Sequence, residues 1–218
     1  MSSAAAQTDP LTEAAAFPHG RVPREVRRRQ VVALATSLFI ERGYQAASMD
    51  ELGRRAGVSK PVIYELVGSK EELFREVMTL EARELARRVE SAVNAEPSHE
   101  EKLHAGALAF FGFVSERRAQ WSTLMSQEAG PVTAEVAAAR RFHAKVVAEL
   151  LAKGAAELGG PMDPVLTEAC AHAINGAFES LATWWQEHPD VDVETLAGLA
   201  TGLVSPGLIA FARGTGGS

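Results

Sequence analysis

The stretch of residues 48–70 constrains the fold more than any other part of this 218-residue chain. Its sequence, SMDELGRRAGVSKPVIYELVGSK, is typical of two short helices joined by a tight turn. Ser48 can cap the first helix and form a capping box with Glu51, and Gly57 suits the left-handed residue that ends a helix. Ser59 is a second N-cap candidate. The pattern therefore predicts a helix, a glycine turn and a second helix.

The second helix has two unlike faces. Its inward face would hold Ile63, Leu66 and Val67, and its outward face Lys60, Val62 and Tyr64. A helix, a turn and a second helix with an exposed N-terminal end form the helix-turn-helix arrangement, whose second helix enters the major groove of DNA. An ordinary helical hairpin gives the same pattern, because capped hairpins are common in all-α domains.

The flanking sequences favour the DNA-reading interpretation. Together with RRRQVVALATSLFIERGYQAAS before it and KEELFREV after it, the motif resembles the TetR family of bacterial transcriptional repressors over about residues 24–78. The matching residues follow the family's order without a gap: Ala35, Leu38, Phe39, Gly43, Tyr44, Ser48, Met49, Leu52, Ala56, Gly57, Val58, Ser59, Tyr64, Val67, Ser69, Lys70, Glu71, Leu73 and Phe74. Beyond this segment only the helical pattern and the length agree with the family.

The resemblance implies an all-α protein with an N-terminal three-helix helix-turn-helix DNA-binding domain and a C-terminal helical bundle for ligand binding and dimerisation. We place the DNA-binding domain at residues 21–69 and the bundle at residues 70–214. Residues 1–20 are small, polar and Ala-rich, and they contain Pro10 and Pro18, so we expect a disordered N-terminal arm. The absence of any segment with strand periodicity agrees with an all-α fold.

The resemblance also implies which residues touch DNA. It transfers contact with base edges or the groove to Lys60, Pro61 and Val62, and contact with phosphates to Ser48, Tyr64 and Lys70. We add Ser59, at the start of the second helix, and Arg28, in the basic cluster before it, to the predicted DNA-binding residues. Lys60 can donate to a guanine edge, and Val62 can pack on a thymine methyl group. Glu65 and Leu66 depart from the side chains that many relatives carry, and we expect Glu65 to turn outward or to pair with an arginine.

The charge distribution fits a DNA-binding head. The net charge is −6, but residues 21–60 carry nine basic and four acidic side chains, against thirteen and twenty-four elsewhere. Phosphate binding depends on the local field, so a basic head on an acidic body suffices. Arg24, Arg27, Arg28 and Arg29 crowd the start of the first helix, where they either meet DNA phosphates or form a solvated basic face.

The body should contain several amphipathic helices, of which the eighth and ninth, beginning near Pro164 and Asp192, are rich in Ala, Gly and Ser. Small residues allow close helix packing, either within one subunit or against a second copy. The resemblance implies the second case, a homodimer through helices eight and nine, and a symmetric operator needs such a dimer. Pro206 should kink or end the ninth helix.

Aromatic residues and methionines are concentrated in the body, where they form either plain core or the wall of an apolar cavity. The candidate pocket residues are His104, Phe110, Phe111, Trp121, Met125, Phe142, His143, Asn175 and Phe178. The resemblance implies a small apolar or aromatic effector that enters there. A metal site is disfavoured, because His104, His143 and His172 lack a short ligand spacing, and we expect no cofactor.

We therefore expect a repressor that a ligand releases from a palindromic double-stranded DNA operator. Two alternatives are a ligand-independent DNA-binding protein with a filled body and, less favoured, an all-α enzyme, since the sequence has no nucleophile elbow, dinucleotide fingerprint, phosphate loop or HExxH. We also expect a cytoplasmic protein without a membrane partner. The chain has a single cysteine, no signal peptide and, by inspection, no apolar run long enough to span a bilayer.

Overall fold

A computed structural model describes residues 9–17, 22–118, 131–158 and 163–215, and within them it contains helices and no strand. The α-helices of this part of the chain are α1 (Pro10–Ala15), α2 (Arg24–Ala46), α3 (Met49–Ala56), α4 (Lys60–Val67), α5 (Lys70–Ala95), α6 (His99–Glu116), α7 (Pro131–Leu158), α8 (Pro164–Trp184) and α9 (Val193–Thr215). A short 3₁₀-helix, Trp185–Glu187, follows α8. The prediction of an all-α fold is confirmed.

The chain divides into two compact units, Met1–Met78 and Thr79–Ser218, which we call the head and the body. The division falls inside α5, so this helix supplies residues to both units. The boundary predicted from the sequence, after residue 69, lies just before α5 begins. The first turns of α5 belong to the head because Leu73, Phe74 and Val77 are buried there.

The head is built around a small, fully buried core from α2, α3 and α4. Val31, Leu38, Leu52 and Ile63 are each at most 2% exposed. A glycine shapes the turn between α3 and α4, because Gly57 has a φ of 68° in the left-handed region. Gly43, at φ 71°, interrupts the helical geometry of α2 three residues before the helix ends at Ala46. These two glycines set the positions of α3 and α4.

The N-terminal arm differs from the expectation of disorder. Residues 10–15 form α1, which Asp9 caps through a hydrogen bond from the Leu11 amide at 3.3 Å. Ala14 is buried, and Arg29 of α2 forms an ion pair with Glu13 at 2.6 Å. The Ala-rich composition therefore supports a short capped helix on α2 rather than a disordered segment over these residues.

The body has its own apolar core between α6, α8 and α9. Phe111 is 0% exposed and packs against Phe178, with ring centroids 5.5 Å apart, and against Trp185, at 6.3 Å. The Trp185 indole donates to the Val191 carbonyl at 2.6 Å and so holds the turn before α9. This core fixes the helices that surround the cavity described below.

Helix α9 is long and apolar. It continues through Pro206 to Thr215, so of the two predicted effects of this proline, a kink or an end, the helix does not end there. The stretch Val193–Ala210 has a mean hydropathy of 1.4 and is, by length and composition alone, apolar enough to cross a membrane. Inspection of the sequence missed this stretch, because Gly, Ala and Thr separate its larger apolar side chains. Because 17% of the stretch is buried in the single chain, most of this apolar helix faces outward.

Candidate DNA-binding face and ligand cavity

Helix α4 is amphipathic in the sense that the sequence predicts. Ile63, Leu66 and Val67 are buried against the head, and Val62 is half-buried. Lys60, Pro61 and Tyr64 are exposed, and Tyr64 keeps 42% of its surface. The burial of one face leaves the N-terminal end of α4 available to enter a groove of DNA.

Serine side chains cap three of these helices, but the capping box predicted for Ser48 and Glu51 does not form. The Ser69 and Glu72 side chains bond each other's backbone amides, at 3.1 and 2.7 Å, and a second capping box joins Ser98 and Glu101. The Ser48 hydroxyl accepts from the Asp50 and Glu51 amides, whereas the Glu51 carboxylate accepts from Arg55 instead of closing a box.

Ser59 stands at the N-cap position of α4, but its side chain makes no capping hydrogen bond. The expectation of a side-chain cap at this position was wrong. Its hydroxyl therefore lies at the exposed start of α4 without a capping role, which suits a contact with an external acceptor.

The first residue of α4 is already paired within the head. The Lys60 ammonium donates to the Asp50 carboxylate at 2.9 Å, and this hydrogen bond raises the pKa of Lys60. Both side chains are well exposed, so the pair lies in water, where it is weak. A phosphate or a guanine edge can therefore compete with Asp50 for Lys60. Tyr64, by contrast, has no hydrogen-bond partner for its hydroxyl among the described residues.

Lys70 has a more restricted environment than the sequence indicates. Its ammonium donates to the Gln45 carbonyl at 3.2 Å and lies 4.6 Å from the centre of the Tyr44 ring. Partial burial lowers the pKa of Lys70. Burial also raises the pKa of Tyr44 to about 12, helped by the hydrogen bond that its hydroxyl donates to Glu71 at 3.0 Å. Lys70 thus helps to hold α5 against the end of α2.

The four arginines at the start of α2 are occupied by acceptors within the head. Arg28 forms a bidentate ion pair with Glu76 of α5, with both bonds at 2.8 Å. Arg24 donates to the Glu65 carbonyl, Arg27 to the Ala56 carbonyl, and Arg29 to Glu13. These intramolecular pairs relieve the repulsion among the arginines. Contact of the cluster with DNA phosphate stays a prediction. The Glu65 side chain is exposed, and its backbone carbonyl is what bonds an arginine.

Arg54, which the sequence placed only on an outer face of α3, is a further candidate for phosphate contact. Its side chain is exposed and has no ion-pair partner among the described residues. Its neighbour Arg55 is bound to Glu41 and Glu51, both at 2.7 Å, and these hydrogen bonds raise the pKa of Arg55. The sequence pattern of two adjacent arginines does not distinguish the paired side chain from the free one.

A cavity of about 210 Å³ in the body is lined by residues of α5 to α9. It exceeds the apolar cavities of about 150 Å³ that can hold a benzene molecule. Its aliphatic wall includes Leu85, Val89, Val93, Leu103, Val146, Val147, Leu150, Leu151, Leu208 and Ile209. The cavity is therefore large and apolar enough for a small hydrophobic ligand.

Two polar side chains stand out in this wall. His143 donates from Nε2 to the Ala82 carbonyl of α5 at 3.0 Å, and burial lowers its pKa, which keeps the ring neutral. The Nδ2 atom of Asn175 on α8 is buried and has no hydrogen-bond partner. The cavity wall thus includes a neutral imidazole and an asparagine whose amide donor has no partner.

The structure brings together four of the nine predicted pocket residues. Phe110, His143, Asn175 and Phe178 line the cavity. Phe111 is buried in the core beside it, and Phe142 is 39% exposed on the surface of α7. Trp121 and Met125 lie outside the described residues. The aliphatic wall was missed, because Leu and Val at helical spacing carry no signal that separates cavity from core.

His104 lines a different, open groove of about 920 Å³ between α6 and α9, where it pairs with Glu194 at 3.0 Å. The three body histidines do not converge, since His143 bonds Ala82 and His172 lies 4.0 Å from Glu168. Among the described residues no three His, Cys, Asp or Glu side chains form a metal-binding group.

The outer faces of α8 and α9 combine small and large apolar residues that the single chain leaves exposed. On α8 they are Val165, Leu166, Ala169, Ala173, Gly176, Ala177 and Trp184, and on α9 Gly198, Leu199, Gly202, Leu203 and Ile209. Leu203 is 69% exposed and Val165 72%. Packing within one subunit therefore does not account for these small residues. An apolar patch of this kind marks an interaction surface.

Two family models match the chain. The model described as bacterial regulatory proteins of the tetR family matches residues 31–77, and the model of the tetracyclin repressor-like C-terminal domain matches residues 99–205. The first covers the helix-turn-helix and the second covers most of the body. Both units of the structure are therefore similar to parts of one family.

Individual known proteins are similar to this chain over different lengths. The transcriptional activator FasR of Mycolicibacterium smegmatis is 42% identical over 43% of this chain and 43% of its own length. The uncharacterised regulator YhgD of Bacillus subtilis is 27% identical over 84% of this chain and 97% of its own. The regulator FadR of Bacillus subtilis, solved with stearoyl-CoA, has the same fold, with a TM-score of 0.66, 17% identity, and coverage of 80% and 96%.

Proposed function

Because the chain belongs to the TetR family of DNA-binding transcriptional regulators, we propose that it is a cytoplasmic repressor whose homodimer binds a two-fold symmetric operator. A small apolar ligand that enters the body cavity releases it. The matched families and relatives are transcriptional regulators and not enzymes, which removes the enzymatic alternative. The cavity is the observation that carries the ligand-responsive proposal, because a filled body would leave no space for an effector.

The proposed DNA interface is the exposed N-terminal end of α4. Lys60, Pro61 and Val62 contact base edges, with Lys60 exchanging Asp50 for an acceptor in the major groove. Ser48, Ser59, Tyr64 and Lys70 contact phosphates, and we add Arg54 to this group. The bidentate pair with Glu76 gives Arg28 a structural role first, so its contact with phosphate is the weakest part of the proposed set.

The proposed dimer joins the outer faces of α8 and α9 to their copies in a four-helix arrangement. Support comes from the exposed apolar side chains on both helices and from their exposed glycines, which allow close approach. A partner copy would also explain why so little of the apolar stretch Val193–Ala210 is buried in one chain. In an isologous interface the same patch serves both subunits, so one chain suffices to define it.

The proposed ligand is an elongated apolar molecule of the acyl type. The cavity wall runs along α6 from Leu103 to Phe110 and along α7 from His143 to Ala155, which spans about 10–18 Å at the rise of an α-helix. The stearoyl-CoA bound to a protein of the same fold supports this class of ligand. Ligand binding need only favour one arrangement of the dimer by about 1–3 kcal/mol to change its affinity for DNA.

A mobility-shift titration with duplex DNA flanking its own gene tests this function, with and without saturating apolar ligand found by thermal shift. We expect a salt-sensitive complex that the ligand weakens. Ligand-strengthened binding would favour an activator, the role that FasR carries in its name. A cavity that accepts no apolar molecule would favour the ligand-independent alternative instead.

A further inference from the structure

We propose that Asn175 donates a hydrogen bond to an uncharged carbonyl oxygen of the effector. The ligand class is then a neutral acyl compound, such as an ester, thioester or ketone, rather than a free carboxylic acid. This inference rests on the proposed ligand-responsive function and goes beyond it by naming the recognised group. It is carried by two independent features of the cavity, an unpaired donor and the charges of its wall.

The first feature is the unpaired amide of Asn175. Its Nδ2 atom is buried in the body, and the structure gives it no acceptor. A buried donor without a partner destabilises the folded protein, because it has lost its hydrogen bond to water. The neighbouring wall residues Ile174 and Phe178 offer no acceptor in their side chains. An acceptor atom on a ligand removes this cost, so the amide favours ligands that carry one over plain hydrocarbons.

The second feature is the charge of the cavity wall, whose described residues include a single Lys or Arg. Glu179, one turn further along α8, is bound to Arg140 at 2.6 Å. His143 stays neutral because burial lowers its pKa, and its Nε2 proton already serves the Ala82 carbonyl. A carboxylate placed on Asn175 would therefore be buried without an opposite charge, which is strongly unfavourable.

The one Lys or Arg in the described cavity wall is Lys102, near the start of α6. Lys102 lies eight residues before Phe110 on α6. The Phe110 ring is 5.6 Å from the ring of Phe178, which follows Asn175 on α8. Eight residues correspond to about 12 Å along a helix. Lys102 therefore belongs to the other end of the cavity, and it does not compensate a charge held by Asn175.

Three eight-carbon probes separate these alternatives: octan-2-one accepts a hydrogen bond without charge, oct-1-ene has no polar atom, and octanoate is charged. Their affinities are measured at neutral pH by thermal-shift titration of the full chain. We expect octan-2-one to bind about fivefold to tenfold more tightly than oct-1-ene, as one net hydrogen bond allows, and octanoate to bind most weakly.

The variant Asn175→Leu should bind octan-2-one and oct-1-ene equally while still binding both. Asn94→Leu changes the other asparagine, exposed on α5, and should keep the wild-type preference. Equal binding of the two neutral probes by wild type, retention of the preference in Asn175→Leu, or tightest binding of octanoate would each overturn the assignment. If none of the three probes raises the melting temperature, the ligand-responsive function itself fails, and the assignment fails with it.

Discussion

The head and the body differ in how far their polar groups and apolar side chains find partners within the same chain. In the head, the basic side chains around α4 largely have partners within the same unit, such as Arg28 with Glu76 and Lys60 with Asp50. In the body, the amide of Asn175 lacks a partner, a cavity remains empty of side chains, and Leu203 and Val165 face outward. The head is thus complete in one chain, whereas the body is not.

This difference fits the proposed roles of the two units. A DNA-reading head must hold α4 rigidly, and its phosphate contacts need only a few exposed groups, since phosphate contacts position while base contacts specify. A body that senses a ligand and pairs with a copy must keep surface and volume for both. The unsatisfied groups of the body are therefore evidence for its partners.

The largest expected effect tests the apolar face of α9. Leu203→Glu should abolish the homodimer, because a carboxylate would be buried in the interface at a cost of several kcal/mol, equivalent to at least about a hundredfold in the dimerisation constant. Sedimentation velocity measures the change, with Leu11→Glu on α1 as the matched control. A Leu203→Glu protein that remains a dimer would remove this face from the proposed interface.

The head should be sensitive to its core. Ile63 is fully buried under α4, so Ile63→Ala should lower the free energy of unfolding of the head by about 2–5 kcal/mol. Urea unfolding, followed by circular dichroism, reports this change. The half-buried neighbour Val62 provides the control, because Val62→Ala should lower stability clearly less than Ile63→Ala while altering DNA binding. Equal destabilisation by the two substitutions would contradict the two-faced description of α4.

Substitutions at Tyr64 test whether the exposed face of α4 contacts DNA. Tyr64→Ala should weaken operator binding by about 1–2 kcal/mol and leave the melting temperature unchanged, because the side chain is exposed and its hydroxyl is unpaired. Tyr64→Phe separates the hydroxyl from the ring in the same mobility-shift titration. Unchanged affinity of Tyr64→Ala would count against the proposed docking.

His143 should make the stability of the body depend on pH. Its pKa is lowered in the folded state, so below its ordinary value of about 6.5 the unfolded chain takes up a proton that the folded chain does not. Stability should therefore fall as the pH decreases through this range, until the folded-state pKa is reached. In His143→Gln this slope should diminish, as urea unfolding at several pH values would show. An identical slope would mean that His143 does not titrate differently on folding.

The smallest expected effect concerns the pair of Lys60 and Asp50. Asp50→Asn should change the free energy of unfolding by less than about 1 kcal/mol, since exposed ion pairs contribute little. The same substitution frees Lys60 and removes an acid from the DNA face, so binding to non-operator DNA should increase. A fluorescence-anisotropy titration with a duplex of random sequence measures this affinity for non-operator DNA. An unchanged affinity would show that Asp50 does not restrain Lys60.

The head could be predicted closely because its signals are local. Caps such as Ser48 and Ser69, the turn at Gly57 and the spacing of Ile63 and Leu66 act within a few residues of chain. The pairing of Arg28 with Glu76 could not be predicted, because the two side chains are 48 residues apart in sequence. Neither could the helix at residues 10–15, whose stability depends on packing against α2.

The body was predicted less well, because its features depend on side chains that are far apart in the sequence. Phe110 and Phe111 are adjacent and both fit the apolar stripe of α6, yet one lines the cavity and the other lies in the core. Helical periodicity identifies an inward face but not what faces it. The unpaired state of Asn175 depends on side chains from several helices, so only the folded body reveals it.

Hydroxyl-radical footprinting of the DNA flanking its own gene tests the central claim most directly. A homodimer that reads DNA through α4 should protect two related half-sites, centred about 34–36 Å or a multiple of one helical turn apart. Leu203→Glu should lose both protections together. A single protected patch, or protection that survives in a monomer, would contradict the proposal that two heads are held together by their bodies.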